Sequence, residues 1–394
     1  MKLEILYVFG GEKALGAEIV IERLIDYNAN NVNAHLIIAP GLFADKLFAA
    51  KKSYKITRLG NLRKLYRSSS NIFYFYFKAF INYFVISYKV YRYIKKNNID
   101  VIHVNTIVPA SYLLPLIFFS RIILPGKLWI WSDHDMRYFS KLEHFLSKWC
   151  LKLYDCTLVV SEAVKRKYLE NKKIVLLYNG LDINLFRPDE LVRENFRNRL
   201  GINESCVVFG IAAYICPGKG QLPLIKAFAE ATLIYPNIKL LIAGDYALDD
   251  IAYNDAVKKA ISVNRNIVYL GFTDKIIDFY NGCDVIINNS DLLRSESLGT
   301  SIYEAMACEK ILLASVTGGT PEIISDNVDG YLFEAENGDK LKEHALFIIK
   351  EYNNLSTLKI AARKKVETKF NIWGMIKEYN EFLDTHIKNK LPTI

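Results

Sequence analysis

The sequence predicts an α/β protein built from two units, each with a parallel sheet covered by helices. Short runs of apolar and β-branched residues alternate with helical stretches, which is the pattern of strands in parallel sheets. The alternation stops between Asn179 and Glu204, in a polar stretch that contains Pro188, and then begins again. The length of 394 residues also suits two domains. We therefore expect residues 1–182 to form one unit and residues 183–374 the other.

Eleven apolar runs are the predicted strands. Six belong to the first unit: Glu4–Phe9, Ala34–Ile38, Val101–Val104, Leu128–Trp131, Cys156–Val160 and Ile174–Leu177. Five belong to the second: Val207–Ala212, Ile238–Ala243, Ile267–Leu270, Val285–Asn288 and Ile311–Ala314. After Lys340 the pattern is helical, and a last amphipathic helix within residues 375–394 is expected to cross back to the first unit.

Charge is distributed unevenly along the chain. The sequence has 51 Lys and Arg against 42 Asp and Glu, a net charge of +9, and residues 1–180 hold 27 of the basic but only 13 of the acidic side chains. Twelve basic residues and no acid lie between Lys51 and Lys96. Such a stretch attracts an anionic partner, and nucleic acid, anionic lipid or a phosphorylated substrate would each fit.

Several features favour a cytoplasmic protein. The six cysteines show neither C-x-x-C pairs nor a dense disulfide spacing, as expected in a reducing compartment. The apolar run at the N-terminus is too short for a signal peptide. The segments Ile72–Tyr88 and Ile107–Leu124 are apolar, but charged residues and prolines interrupt them. Both are therefore predicted to be helices in or on a soluble domain instead of membrane spans.

The most informative segment contains two glutamates eight positions apart, Glu296 and Glu304. Gly299 can form a tight turn between them, and Thr300 or Ser301 can cap a helix whose first turn includes Glu304. The backbone N–H groups at such a helix start suit a phosphate or diphosphate. Ser301 and Glu304 also spell an ordinary capping box, so the pattern alone leaves a purely structural role open.

Further motifs surround this pair in a fixed order. Together they resemble the retaining nucleotide-sugar transferases of the "glycosyl transferases group 1" family, strongest over residues 207–333. The motifs are Pro217–Gln221 around Lys219, Ala243–Asp245, Leu270–Phe272, the Glu-x7-Glu pair, Thr317–Ile324 and Asp329–Phe333. The resemblance implies the GT-B fold, in which two Rossmann-like domains with parallel sheets face an interdomain cleft.

The resemblance also implies roles for individual residues. Lys219 would neutralise the donor diphosphate, Glu304 would accept hydrogen bonds from ribose hydroxyls, and Glu296 would hold the donor sugar near its anomeric carbon. His134 would lie beside that sugar, so Glu296, His134 and Lys219 form the expected catalytic set. The remaining expected donor-binding residues are Gly10, Gly11, Gly16, Tyr214, Gly244, Gly271, Leu298, Gly299 and Thr300.

Two further points concern charge at the expected site. The family usually has an arginine where this chain has Tyr214, which can donate a hydrogen bond but brings no charge. Asp133 and Asp135 spell Asp-x-Asp, the metal-binding pattern of the unrelated GT-A transferases. Because their context matches the histidine loop of GT-B enzymes, we expect no metal there, and no cofactor besides the sugar-nucleotide substrate.

The resemblance implies transfer of a hexose-type sugar from a UDP- or GDP-sugar to a hydroxyl of a lipid-linked glycan, with retention of configuration. Such a reaction belongs to the synthesis of lipopolysaccharide, capsule or exopolysaccharide. A sugar-nucleotide epimerase and a non-catalytic binding subunit remain alternatives.

The basic stretch is then expected to rest on the inner face of an anionic membrane instead of binding nucleic acid. A core helix with a solvated basic flank is the plainer alternative. The cations expected at the acceptor and membrane surface are Arg58, Arg63, Lys64, Arg67 and Lys78.

Overall fold

The computed structural model describes residues 2–13, 16–62, 72–168, 171–388 and 390. The chain divides into two compact units: unit 1 is Met1–Gly180 with Ile372–Ile394, and unit 2 is Leu181–Asn371. The expected boundaries at residues 182 and 374 thus lie two and three residues further along the chain. Leu181 belongs to unit 2 because its N–H donates to the Phe370 carbonyl at 2.7 Å.

Unit 1 contains a sheet of seven parallel strands in the order β3-β2-β1-β4-β5-β6-β7. The strands are β1 (Leu3–Phe9), β2 (Val32–Ile38), β3 (Lys55–Arg58), β4 (Val101–Asn105), β5 (Leu128–Asp133), β6 (Cys156–Val159) and β7 (Ile174–Leu176). The helices between them are α1 (Gly16–Asn28), α2 (Leu42–Ala49), α3 (Ile72–Asn97), α4 (Ile107–Tyr112), α5 (Leu114–Ile123), α6 (Lys141–Leu153) and α7 (Glu162–Arg166).

Unit 2 contains a second parallel sheet, with six strands in the order β10-β9-β8-β11-β12-β13. The strands are β8 (Val207–Ala212), β9 (Ile238–Ala243), β10 (Ile267–Gly271), β11 (Val285–Asn288), β12 (Ile311–Ser315) and β13 (Tyr331–Phe333). The helices are α8 (Glu190–Arg199), α9 (Gln221–Ile234), α10 (Ile251–Ser262), α11 (Ile276–Gly282), α12 (Thr300–Ala307), α13 (Thr320–Ile323), α14 (Gly338–Glu351) and α15 (Ser356–Lys369).

The C-terminal helix α16 (Ile372–Lys388) belongs to unit 1, where it lies against α1. Tyr379 of this helix is fully buried and hydrogen-bonds the Nδ1 atom of His103 at 2.8 Å. Asn28 of α1 and Asn380 of α16 exchange amide hydrogen bonds at 2.9 and 3.0 Å. These polar contacts fix the helix on a face that is otherwise apolar.

The two parallel-sheet units confirm the predicted fold class, and all eleven predicted strands are present. The sequence analysis missed β3 and β13. Both lie at a sheet edge, where pairing on one side suffices, and they have only four and three residues. The β3 sequence Lys-Ile-Thr-Arg is mostly exposed, so it lacks the apolar run of a central strand.

A buried ion-pair network joins α8 to the sheet of unit 2. The fully buried Arg197 guanidinium donates to Asp284 at 2.6 Å and to the carbonyls of Gly282 and Cys206. Arg193 reaches the other oxygen of Asp284 at 2.8 Å. Every charge in this network has a partner, which is the condition under which buried ions are tolerated.

Candidate active site

The carboxyl edge of the unit 2 sheet brings together Lys219 and Glu296. Lys219, in the loop between β8 and α9, forms an ion pair with Glu296, and its ammonium also lies 3.3 Å from the Ser290 hydroxyl. Glu296 accepts further hydrogen bonds from Ser290 at 2.7 Å and from Asn288 at 3.3 Å. Burial alone would raise the pKa of Glu296, but Lys219 and these hydrogen bonds hold it below its usual value. The carboxylate is therefore ionised and fixed in position.

The loop between β12 and α13 contacts the backbone carbonyl of Glu296 and fixes its position. Gly318 has a left-handed conformation, with φ 46°, and any side chain there would strike the Glu296 carbonyl. The N–H of Gly319 donates to that same carbonyl at 2.8 Å. Glycine is thus required at position 318 for the backbone of residue 296 to approach this closely.

The start of α12 differs from the prediction in two respects. Neither Thr300 nor Ser301 caps the helix, because the N-cap residue is Gly299 in a left-handed conformation and no side chain accepts a cap hydrogen bond. Glu304 lies in the second turn instead of the first. The Ile302 N–H donates to the Gly299 carbonyl at 3.0 Å, while no side chain caps the helix start, a position that favours an anion.

The other predicted residues near α12 are buried. Leu298 is 2% exposed. Glu304 is 9% exposed, and its carboxylate accepts a hydrogen bond from the Tyr280 hydroxyl at 3.0 Å. The Glu304 side chain is therefore already positioned by the protein, with little of it open to solvent.

Tyr214 and Gly244 follow β8 and β9, and Gly271 is the last residue of β10, so all three lie along one edge of the sheet. The Gly244 N–H donates to the Gly271 carbonyl at 2.8 Å, and Gly244 packs against the backbone of Ala213. Tyr214 is 42% exposed. Next to Gly271, Phe272 is 70% exposed, an aromatic ring at this edge that the sequence analysis did not select.

Arg294 is a second residue that the sequence analysis missed. Its aliphatic stem lies over Gly218, the residue before Lys219, where a side chain would strike the Arg294 Cγ atom. Arg294 is exposed, and within the described part of the chain its guanidinium forms no ion pair. No sequence pattern marks Arg294, because its contact with Gly218, a glycine with φ 92°, becomes visible only in the structure. An unpaired cation thus stands beside the Lys219 loop.

In unit 1, Gly10 and Gly11 follow β1, and Gly16 begins α1. Gly11 lies against the carboxylate of Glu18, which a side chain at this position would displace. His134 follows β5, and although the residue is half-buried, its Nε2 atom is enclosed and has no hydrogen-bond partner among the described residues. Burial lowers the pKa of His134 to about 4, a shift that the nearby Asp133 only partly opposes. The imidazole is therefore neutral at physiological pH.

The Asp-x-Asp carboxylates of unit 1 are already engaged or enclosed. Asp133, which is 2% exposed, forms an ion pair with Lys167 and accepts a hydrogen bond from the Tyr168 hydroxyl. Burial, together with the charge of Asp133, raises the pKa of Asp135 to about 7. Over the described ranges, no three His, Cys, Asp or Glu side chains are grouped as a metal site would require.

Of the five cations expected at a membrane surface, Arg63, Lys64 and Arg67 lie outside the described residues. Arg58 forms an ion pair with Asp45 at 2.7 Å and stacks over the Phe48 ring, so its charge is partly neutralised within the protein. Lys78 is exposed on α3. Within the described ranges, no helix is both long and apolar enough to cross a membrane.

Comparison with known proteins decides the family. The model for "Glycosyl transferases group 1" matches residues 192–365, and that for "Glycosyltransferase Family 4" matches residues 16–185. The chain therefore contains a group 1 glycosyltransferase domain, and the two matches together identify it as a homologue of the glycosyltransferases. The family model thus covers the unit that contains Lys219, Glu296 and Glu304, and the second model covers most of unit 1.

Individual relatives of this glycosyltransferase are distant in sequence. An uncharacterised glycosyltransferase of Methanocaldococcus jannaschii is 25% identical over 311 residues, which are 73% of this chain and 76% of the relative. The lipopolysaccharide 1,2-N-acetylglucosaminetransferase of Salmonella typhimurium is 28% identical over 48% of this chain and 51% of its own length.

Solved structures share the GT-B fold of this glycosyltransferase. The Anabaena protein HepE in complex with UDP has a TM-score of 0.82 at 20% identity, over 98% of this chain and all of HepE. A glycosyltransferase from Rickettsia africae has a TM-score of 0.80 at 20% identity and full coverage of both chains. At such identities the similarity concerns the fold alone.

Proposed function

We propose that this glycosyltransferase moves a hexose-type sugar from a UDP- or GDP-sugar to a hydroxyl of a lipid-linked glycan in cell-surface polysaccharide synthesis. The observation that carries the proposal is the Lys219–Glu296 pair at the carboxyl edge of unit 2, next to the uncapped start of α12. Relatives named for lipopolysaccharide and capsule synthesis support the pathway. HepE, which shares the fold, was solved with UDP-glucose, so this sugar nucleotide is the first donor to test.

The donor diphosphate would be held by charge and by backbone N–H groups. Lys219 supplies an ammonium, and the first N–H groups of α12 supply donors that lack a side-chain cap. As the bond to the sugar breaks, negative charge grows on the diphosphate, and fixed donors of this kind stabilise it. These groups can do the work that a metal ion does in other transferases, so we propose a metal-independent reaction without a cofactor.

The two glutamates would bind the hydroxyl-rich parts of the donor. The Glu304 carboxylate, oriented by Tyr280, accepts hydrogen bonds from ribose. Glu296, ionised and oriented by three neighbours, holds hydroxyls of the sugar close to the anomeric carbon. Attack from the side of the leaving group would retain configuration, and the departing diphosphate can itself accept the proton of the acceptor hydroxyl.

Substitution of the two charged donor contacts tests the proposal. Lys219→Ala is expected to lower sugar transfer by about 10²–10³-fold, the usual effect of removing a group that stabilises transition-state charge. Glu304→Ala should weaken binding of the nucleotide by about tenfold, the loss expected for hydrogen bonds to a charged group. Lys226→Ala, an exposed lysine on α9, is the matched control.

The measurements are thermal shift with a panel of UDP- and GDP-sugars, followed by mass spectrometry of the products. A sugar nucleotide that binds the native protein raises its melting temperature by mass action. A new glycoside in the product separates transfer from epimerisation. Unchanged turnover in both Lys219→Ala and Glu304→Ala contradicts the donor assignment.

We also propose that unit 1 rests on an anionic membrane at the inner face of the cell membrane. Helix α5 lies against both α3 and α6, and each of the three helices exposes large apolar side chains. These residues are more than one third exposed: Phe77, Phe80, Phe84, Tyr88, Phe118, Phe119, Ile122, Leu142, Phe145 and Trp149. Lys78, Arg121 and Lys148 are exposed on the same helices, which suits anionic headgroups.

Liposome flotation tests this surface. Replacing Phe80, Phe118 and Ile122 together by Ser should abolish binding to vesicles that contain phosphatidylglycerol, because the inserted apolar area is lost. Leu233→Ser, which changes an equally exposed apolar residue of unit 2, should leave binding unchanged. Absence of wild-type binding to anionic vesicles at any salt concentration contradicts the membrane proposal.

A further inference from the structure

The strand order of the unit 1 sheet reverses between β1 and β4, and the polar groups at the carboxyl edge there are unusual. The chain proceeds from β1 outward to β2 and β3, then returns to place β4 on the other side of β1. Ligands of open α/β sheets bind outside the carboxyl ends of the strands at such a point. Here β4 ends at Asn105, which pairs with Phe9 of β1 on one side and Ser132 of β5 on the other.

Asn105 is buried with an unsatisfied side chain. It is 1% exposed, yet neither its Oδ1 nor its Nδ2 atom has a hydrogen-bond partner within the part of the chain that the structure describes. Buried amides are nearly always paired, as Asn28 is with Asn31 and Asn380. An amide that is buried but unpaired at a strand end is costly unless a ligand completes it.

The next residue is strained. Thr106 has φ 70° and ψ 166°, a backbone conformation that is essentially restricted to glycine. Its N–H donates to the Ser132 carbonyl at 2.9 Å, and this bond helps to hold the conformation. Strain of this kind is typical of ligand-binding positions, where the surrounding structure maintains it.

The neighbouring groups indicate the chemistry of the ligand. An amide offers both a donor and an acceptor, which match the two roles of a hydroxyl group. Within the ranges that the structure describes, the Nε2 atom of His134, which follows β5, is also enclosed without a partner, and the ring is neutral at physiological pH. The Lys167 ammonium is bound by Asp133, while Glu18 and Asp135 bring further carboxylates. The carboxylates disfavour binding of a phosphate, whereas the neutral amide and imidazole suit a neutral polyol.

We propose that Asn105 binds a hydroxyl group of the carbohydrate acceptor at this edge of the unit 1 sheet. The inference rests on the proposed function, because it assigns the acceptor of that same transfer reaction. Asn105 is then a substrate-binding residue whose amide gains hydrogen-bond partners when the acceptor binds. The strained backbone at Thr106 keeps this amide at the strand end.

Asn105→Leu separates a binding role from a structural one, since leucine has nearly the shape of asparagine but no polar atoms. The acceptor substrates are n-octyl glycosides of glucose, galactose, mannose and N-acetylglucosamine. The donor is the sugar nucleotide that raises the melting temperature of the wild type most. We expect KM for the glycoside to rise about tenfold or more, while the affinity for UDP stays that of the wild type. The melting temperature should rise, because a buried unsatisfied amide is removed.

Asn28→Leu is the matched control. It removes a buried amide that has partners, so it should lower the melting temperature and leave KM unchanged. If Asn105→Leu does not fold, Asn105→Ala gives the same comparison of KM with a smaller side chain.

Three results would overturn the inference. The first is a KM within twofold of the wild-type value, and the second is a fall in melting temperature as large as that of Asn28→Leu. The third is a wild type that hydrolyses the donor but glycosylates none of the glycosides. By contrast, a wild type that binds no sugar nucleotide at all contradicts the proposed function itself.

Discussion

The carboxyl edges of the two sheets share one topology but differ in how their polar groups are satisfied. In unit 2, Glu296 is ion-paired with Lys219 and hydrogen-bonded by Ser290 and Asn288. In unit 1, the amide of Asn105 and the Nε2 atom of His134 are enclosed and lack partners in the described part of the chain. One edge is therefore a charged site that is already assembled, and at the other edge two neutral polar groups are still incomplete.

This difference suggests how one fold serves two kinds of ligand. A diphosphate carries charge, so a site for it requires cations and oriented N–H groups that are in place before binding. A hydroxyl is neutral, and unpaired amide and imidazole groups can recognise it at little electrostatic cost. The comparison predicts that salt, charge removal and pH act differently at the two edges.

The largest effect is expected from Glu296→Gln. The substitution keeps the shape of the side chain but removes the charge that orients the donor sugar, so transfer should fall by about 10²–10³-fold. Affinity for UDP, which lacks the sugar, should stay within about threefold of the wild-type value. Calorimetry with UDP and steady-state transfer assays measure the two quantities. Equal losses in UDP affinity and in transfer would contradict the separate role given to Glu296.

A smaller effect is expected from Arg294→Ala. The aliphatic stem of Arg294 lies over Gly218, and we expect its cation to supplement Lys219. Its removal should then weaken UDP binding about five- to tenfold, a typical value for one partly exposed charge-assisted contact. The loss should shrink at high salt, because salt screens exposed charges. Arg265→Ala, an exposed arginine elsewhere in unit 2, is the control. Unchanged UDP affinity at low salt would remove Arg294 from the site.

The pH dependence of stability tests the unit 1 edge. The pKa of Asp135 is about 7 in the folded protein, above its ordinary value of 3.8. A carboxyl group with a raised pKa stabilises the fold while it is protonated, and this contribution is lost as pH rises from about 4 through 7. Asp135→Asn should therefore have the wild-type melting temperature near pH 4 and a higher one at pH 8. An equal difference at both values would contradict the burial of this carboxyl group.

The smallest effect concerns backbone strain away from either edge. Glu309 follows α12 with φ 57°, a left-handed conformation that suits glycine. Glu309→Gly should stabilise the protein by about 0.5–1 kcal/mol and leave transfer unchanged.

Thr106→Gly, which relieves strain next to Asn105 at the unit 1 edge, should also raise the melting temperature but impair use of the acceptor. Urea unfolding and acceptor KM distinguish the two, and an identical pattern in both variants would show that Thr106 has no special role.

The sequence predicted the fold and the donor edge better than their local details. The eleven central strands were visible because parallel strands are nearly continuous apolar runs, and the ordered motifs around Glu296 identified the family. The edge strands β3 and β13 are short and lacked that signal. The capping of α12 was wrong because the left-handed Gly299 ends the preceding turn without help from Thr300 or Ser301.

Other features depend on contacts that a sequence does not display. Arg294 reaches the site only because its stem crosses Gly218, and Asn105 matters because it lacks partners that a typical buried amide has. Nothing in the residue types or spacing distinguishes Asn105 from the well-paired Asn28. Unsatisfied polar groups become visible only when every neighbouring atom is placed.

Calorimetric titration of UDP into the wild type, Lys219→Ala and Asn105→Leu tests most directly whether the charged and neutral edges bind different substrates. We expect the wild type and Asn105→Leu to bind UDP with the same affinity, and Lys219→Ala to bind at least tenfold more weakly. Equal UDP affinity in Lys219→Ala and the wild type, or a loss of UDP binding in Asn105→Leu, would contradict this division of roles.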